Sequence, residues 1–384
     1  MSKKFLTYCM NVHKGEGIGD VMQAITDFAA PIGKEFSLFG ERFGVGLRLA
    51  AKAVDELTTN PFLLQALLQL MRSNRLFAFT MNAFPFGTFH GVQVKDEVYR
   101  PAWDMEERLE YTKRSANILA QLLPDNVEYG SISTSPANFK AWNEPHAKAI
   151  ENYIAAAKHL QGVEEKYGKR IVLCIEAEPG CYPETTPELI DFFKQLREAG
   201  LTPELERYLG VCFDTAHQSV EFENLAEAVR ELTSNGIFIG KVQLSAAMVL
   251  PDTVEGRAIL AQYNESTYLH QTVQRTADGA INRADDIPQA LEFASQEGAE
   301  LRVHFHVPLY ITPTGILGST AEELKSAAFA EALAASGCQH FECETYTWEV
   351  WNSCSGAAID IKEGLLGELM WARENCFSKV IENE

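Results

Sequence analysis

Long hydrophobic runs are missing from this sequence: no stretch approaches the roughly 18–20 apolar residues that cross a bilayer as a helix. The first residues, MSKKFLTYCMNVHKGEG, turn polar too soon for a secretory leader, so a cytoplasmic protein with no membrane span is expected. Basic residues are also scarce, 33 against 53 acidic ones, for a formal charge of −20. That balance argues against nucleic acid as a partner, because phosphate backbones need clustered Lys and Arg. Eight cysteines are present without a CxxC pair, several inside apolar runs, which points to buried thiols and not to a disulfide or zinc framework. No Pro/Gly/Ser-rich linker or charge block divides the 384 residues, so one domain over 1–384 is expected.

What is present is alternation. Short apolar runs (FLTYCMNV, GVGLRLA, LFAFTMN, EYGSIST, RIVLCIEAE, LGVCFDT, GKVQLS, LRVHFHV, HFECETYT) alternate with amphipathic stretches such as DMEERLEYTKRSANILAQLL and TAEELKSAAFAEALAASG. Runs this apolar suit strands buried on both faces, and βαβ units closing on themselves make an α/β TIM barrel of about this length. Nine strand candidates are one too many, so the run near Leu301 or the one near Gly240 is an addition. An insertion near residues 248–300 is expected, its first part polar and weakly periodic.

Acids and histidines gather where these runs end: Glu176 and Glu178, Asp214 and His217, Gln243, His304 and His306, Glu342 and Glu344. The carboxyl ends of parallel barrel strands form one rim, and residues two apart on a strand share a face. A carboxylate at the end of an apolar strand needs a cation or donors. Each motif alone suits a satisfied core imidazole or a solvated strand end; their recurrence on successive runs points to a divalent metal, with Mn²⁺, Mg²⁺, Co²⁺, Zn²⁺ and Fe²⁺ all compatible. Asn11, His13, Arg48, Asn82 and His90 lie on or beside early strands and join Glu178 and Trp348 as candidate substrate contacts. Phe84, Phe86, Phe89 and Trp348 could wall a small pocket. His270 and Arg283 fall in or near the insertion as a candidate lid or phosphate clamp.

The order LCIEAEP, GVCFDTAH, KVQLS, FECETYT resembles the xylose isomerase-like TIM-barrel superfamily of sugar isomerases, epimerases and endonuclease IV. More closely, LTYCMNVHKGE, FGVGLRLA, MNAFPFGTFHG, GSISTSP, YLHQT, HFHVPL and ETYTW resemble the metabolite traffic protein EboE family, from about Leu6 to Trp371. The superfamily resemblance implies Glu176 as metal ligand and proton-exchanging group, and Asp214 as ligand. It implies His217 as substrate or second-metal contact and Glu344 as ligand and opposing acid/base. Gln243 stands where a histidine ligand is usual, leaving His304 or His306 to take its place. The function implied is a metal-dependent isomerase or epimerase acting on a sugar, polyol or cyclitol-type metabolite, phosphorylated or not. The EboE resemblance implies, as the alternative, a non-catalytic metabolite-binding or traffic protein; an endonuclease IV-like hydrolase is the third.

Overall fold

The computed structural model describes residues 3–37, 41–312 and 314–382. Eight parallel strands form one sheet: β1 (Phe5–Tyr8), β2 (Phe43–Arg48), β3 (Leu76–Asn82), β4 (Gly130–Thr134), β5 (Ile171–Glu176), β6 (Leu209–Asp214), β7 (Ile239–Leu244) and β8 (His340–Cys343). Spatial order follows chain order from β2 to β8; β1 then pairs with β8, and a parallel bridge from Cys9 to Gly46 joins β1 to β2. This is the expected TIM barrel. Every residue of the eight strands is buried, which is why their sequences read as unbroken apolar runs. Among the described residues no helix is long and apolar enough to cross a membrane.

The eighth strand candidate, the run near Leu301, is the extra one. Glu300–His306 belongs to a five-stranded antiparallel sheet, in the order Ile281–Ala284, Thr272–Arg275, Glu300–His306, Ala247–Pro251, Gly318–Ser319. The insertion between β7 and β8 is therefore longer than expected at both ends. The expected single helix TAEELKSAAFAEALAASG is also interrupted, a 3₁₀ segment Thr320–Lys325 preceding the helix Ala327–Ser336, with Ser326 between them.

Period-two alternation sets the orientation of the accessory sheet. Leu301, Val303 and Phe305 join Met248, Leu250, Tyr263 and Trp351 in a small apolar cluster. Arg302, His304 and His306 therefore point the other way, towards the carboxyl ends of the barrel strands. Arg302 fixes that approach by donating to the Ser219 carbonyl at 2.7 Å, on the helix Thr215–Val220 that follows β6.

Inside the barrel the filling is partly polar. Lys241 on β7 and Glu342 on β8 form a fully buried ion pair at 2.6 Å. Ser131 donates to Thr80 at 2.7 Å and lies 2.8 Å from His340 Nδ1. Gly46 is required beside this pair, because a Cβ there would lie 1.9 Å from Glu342 Oε1.

Candidate metal centre and pocket

Glu176 and Asp214 are the last residues of β5 and β6, and Glu344 follows β8 by one residue. Ligand atoms of Glu176, Asp214 and His217 lie within 4.8 Å of one another, and so do those of Asp214, His306 and Glu344. Asp214 is thus common to both groups. A third group joins His217, His304 and His306 under the same limit, and every member is buried. The rim carboxylates converge as expected. The two later histidines reach them from the accessory sheet and not from a barrel strand.

Hydrogen bonds fix the tautomers of these imidazoles. His217 Nδ1 donates to the Ala177 carbonyl at 2.9 Å. His304 Nδ1 donates to Gln271 Oε1 at 2.8 Å. The Gln271 amide cannot be reversed without loss, since its nitrogen donates to the Tyr99 hydroxyl and the Pro179 carbonyl at 2.8 and 2.9 Å. Both Nε2 atoms are then bare, and they face each other at 3.0 Å. Two lone pairs at that distance repel unless something positive lies between them. A proton is disfavoured there: burial lowers the pKa of His217 and depresses that of His304 well below its ordinary value. His306 points Nδ1 at the carbonyl and the Oε2 of its partner Glu344, at 2.5 and 2.9 Å. Its Nε2 is buried without a hydrogen-bond partner. Three convergent imidazole nitrogens with a neighbouring carboxylate fit a divalent transition metal and suit an all-oxygen magnesium or calcium shell poorly.

The carboxylates differ among themselves. Burial, then the charges of Asp214, Glu344 and Glu178, push Glu176 well above the ordinary carboxyl range. Burial acts in the same direction on Glu344, but the adjacent His306 outweighs it and holds the group below its usual value. His306 rises to about 9, burial being overcome by Glu344. Burial raises Glu178 to about 8 against the hydrogen bond that Tyr99 donates at 2.8 Å. Asp214 Oδ1 accepts from the Ala216 and His217 amides and from Ser245 Oγ, which holds the carboxylate at the start of its helix.

Gln243 turns its side chain to Glu176. With its nitrogen facing that residue, it donates to both carboxylate oxygens, at 2.8 and 3.2 Å. That position, expected to offer a ligand, here supports a carboxylate, and His304 and His306 supply imidazoles near the rim. Asn11, Asn82, Glu176, Glu178, His217, His304 and Glu344 all line one pocket of about 510 Å³, mouth included. Asn11 donates to Glu344 Oε1 at 2.5 Å. Phe84 and Phe89 form part of its wall, while Phe86 packs on Tyr111.

Four expected substrate contacts lie outside this lining. His13 bonds Tyr8 at 3.0 Å and stacks on Phe28. Arg48 donates to the Gly15 and Gly87 carbonyls. His90 bridges the Asn11 carbonyl and the Tyr268 hydroxyl from behind the wall. Trp348 is fully buried against Gly364. His270 and Arg283 are no free clamp either: His270 is buried behind His304, and Arg283 pairs with Glu221 at 2.6 Å. Sequence reasoning missed Lys95, Tyr99, Tyr268, Gln271 and Tyr346, all of which line the pocket. They sit on loops or short turns, where no periodic pattern marks them.

No family model matches the chain, and no curated protein matches its sequence. Solved structures do match. A xylose isomerase-like TIM-barrel protein from Mycobacterium smegmatis, in complex with magnesium, aligns over 98% of this chain and 98% of its own, with a TM-score of 0.51 and 11% identity. The chain has the xylose isomerase-like TIM-barrel fold. D-psicose 3-epimerase, solved in the presence of D-fructose, aligns over 97% of this chain and 99% of its own, with a TM-score of 0.49 and 13% identity. The IolI protein with a bound zinc atom aligns over 99% of each chain, with a TM-score of 0.48 and 13% identity. At these identities the likeness is one of fold alone.

Proposed function

We propose that this chain is a divalent-metal-dependent isomerase or epimerase of a sugar-, polyol- or cyclitol-type carbonyl compound, of the EboE kind its sequence resembles. One observation carries the reading: Glu176 and Glu344 both line the pocket, and each brings a carboxylate oxygen within 4.8 Å of Asp214 and of a histidine nitrogen; their surroundings push Glu176 up and Glu344 down. Carboxylates whose surroundings separate their pKa values divide acid and base roles between them.

His217, His304 and His306 would hold the metal through Nε2, with Asp214 as the carboxylate ligand. When bound, the ion supplies Lewis-acid polarisation of a carbonyl and its neighbouring hydroxyl. Glu344 is the group ready to take a proton from the adjacent carbon, and Glu176 the one ready to return a proton from the other side. In the reverse direction the two exchange roles. Gln243 keeps Glu176 aimed, and Asn11 does the same for Glu344.

Such a reaction in D₂O places solvent deuterium on the substrate carbon. A panel of free ketoses and inososes, incubated with zinc-, cobalt- or manganese-loaded protein and read by mass spectrometry, should show exchange that Glu344→Gln and Glu176→Gln each abolish. Binding of a panel member without exchange under any of the metals would overturn the enzyme reading and leave a carrier.

A further inference from the structure

We infer that the substrate is an uncharged hydroxy-carbonyl compound bearing an apolar substituent, and not a phosphorylated sugar. The inference rests on the pocket above being the substrate site, and it concerns what that pocket can recognise whether or not it turns its ligand over.

A phosphate needs a cation with free donors or an open helix N-terminus. Histidines apart, Lys95 is the one cationic side chain among the described residues lining the pocket. Its ammonium has three N–H groups, and three acceptors already meet it: the Glu265 carbonyl at 2.9 Å, the Tyr268 carbonyl at 2.7 Å and Asp286 Oδ2 at 2.7 Å. Arg48, on a neighbouring strand end, lies outside the lining and turns its two terminal nitrogens to the Gly15 and Gly87 carbonyls and to Glu16. The helix after β6 offers nothing either, because Asp214 caps its first amides. Glu176, Glu178 and Glu344 line the pocket with Asp214 beside them, so away from the metal an added dianion would meet acids and no free cationic side chain among the described lining residues.

The wall is as specific as the floor. Phe89, Tyr268 and Tyr346 form a mutual aromatic cluster, with ring centroids 5.1–5.2 Å apart, and all three line the pocket. Aromatic faces suit the C–H faces of a neutral ring. The lining also includes the apolar Pro85, Val94, Val98 and Leu269, of which Val98 and Leu269 are half-buried. A bare polyol would leave these groups wet; an apolar substituent would cover them.

The test is a matched series on one parent: D-fructose, D-fructose 6-phosphate and 6-O-hexyl-D-fructose, titrated calorimetrically into zinc-loaded protein. The hexyl ether should bind at least about tenfold tighter than D-fructose, and the phosphate at least about tenfold weaker. Val98→Asp and Leu269→Asp, both at half-buried positions, should remove the hexyl advantage over D-fructose. Asp286→Asn, which removes a carboxylate from Lys95 and keeps a capping side chain, should narrow the phosphate penalty. A phosphate that binds as tightly as D-fructose, or a hexyl ether without advantage or without measurable binding, overturns the inference. Failure of deuterium exchange with this ranking intact would reject the isomerase reading alone; exchange on phosphorylated ketoses only would reject this inference alone.

Discussion

Strands β5 and β6 end on carboxylates, Glu176 and Asp214, whereas the accessory strand Glu300–His306 brings two imidazoles to the same place. The barrel contributes carboxylates, among them Glu176, which burial and neighbouring charges push towards its neutral form and to which Gln243 donates. The accessory sheet contributes nitrogens whose protons are committed elsewhere, to Gln271 in one case and to Glu344 in the other. The barrel alone groups Glu176, Asp214 and His217, and the other two groups need the accessory imidazoles. The lesson is that an insertion can supply candidate ligands, here imidazoles placed near a barrel position occupied by Gln243.

The comparison breaks at its weakest claim if the accessory imidazoles are merely structural. Replacing a ligand should exceed the roughly 10- to 100-fold loss typical of outer-shell changes. His304→Ala with His306→Ala should therefore weaken zinc binding by at least about ten-thousandfold, measured by competition with a chromogenic chelator. Zinc affinity equal to the parent's would return the site to the barrel carboxylates alone.

A second contrast sets the barrel interior against its rim. Lys241 and Glu342 are paired and fully buried, and nothing in this pair calls for a metal. Lys241→Met should cost about 3–5 kcal/mol in urea unfolding, because it leaves a carboxylate buried without its partner. Lys241→Met with Glu342→Gln should recover most of that loss. Equal losses in the single and double variants would show that packing, and not the stranded charge, sets the effect.

The third test concerns Glu368, on the helix Ile361–Ala372 behind β8. It is fully buried, accepts from the Leu309 amide and from Thr345, and burial raises it from 4.5 to about 7. A carboxyl whose pKa rises on folding holds its proton more tightly in the folded state. Its contribution is complete below the unfolded value and is lost as pH climbs through about 7. Glu368→Gln should flatten stability between pH 5 and 8, removing a decline on the order of 1–3 kcal/mol. Parallel pH profiles for the two proteins would sink the assignment.

The barrel and half of the centre were legible because burial on both faces writes itself as apolar runs, and an acid closing such a run is conspicuous, as at Glu176 and Asp214. The HxH pair was legible as sharing a face but not as belonging to another sheet: Leu301, Val303 and Phe305 face a core in either setting. Lys241 carried an unread signal, lying two residues before Gln243 and so on the same inward face, where it meets Glu342. Gln271, Tyr99 and Tyr346 carried none, because loop residues reach a pocket through tertiary packing that no period encodes.

The smallest expected effect falls on Gln243, where the two regions are hardest to tell apart. If its amide serves Glu176, then Gln243→Leu removes two hydrogen bonds from a carboxylate and no donor from the metal. Zinc affinity should fall by roughly tenfold, the size of an outer-shell change, and deuterium exchange should fall with it because Glu176 loses its aim. Gln243→His supplies an imidazole at the same strand position. Its ring cannot reproduce a terminal amide donating to both Glu176 oxygens, so it should not exceed the parent in zinc affinity while His304 and His306 remain. A tighter site in Gln243→His would mean that the barrel position still faces the metal and that the accessory histidines are its secondary ligands.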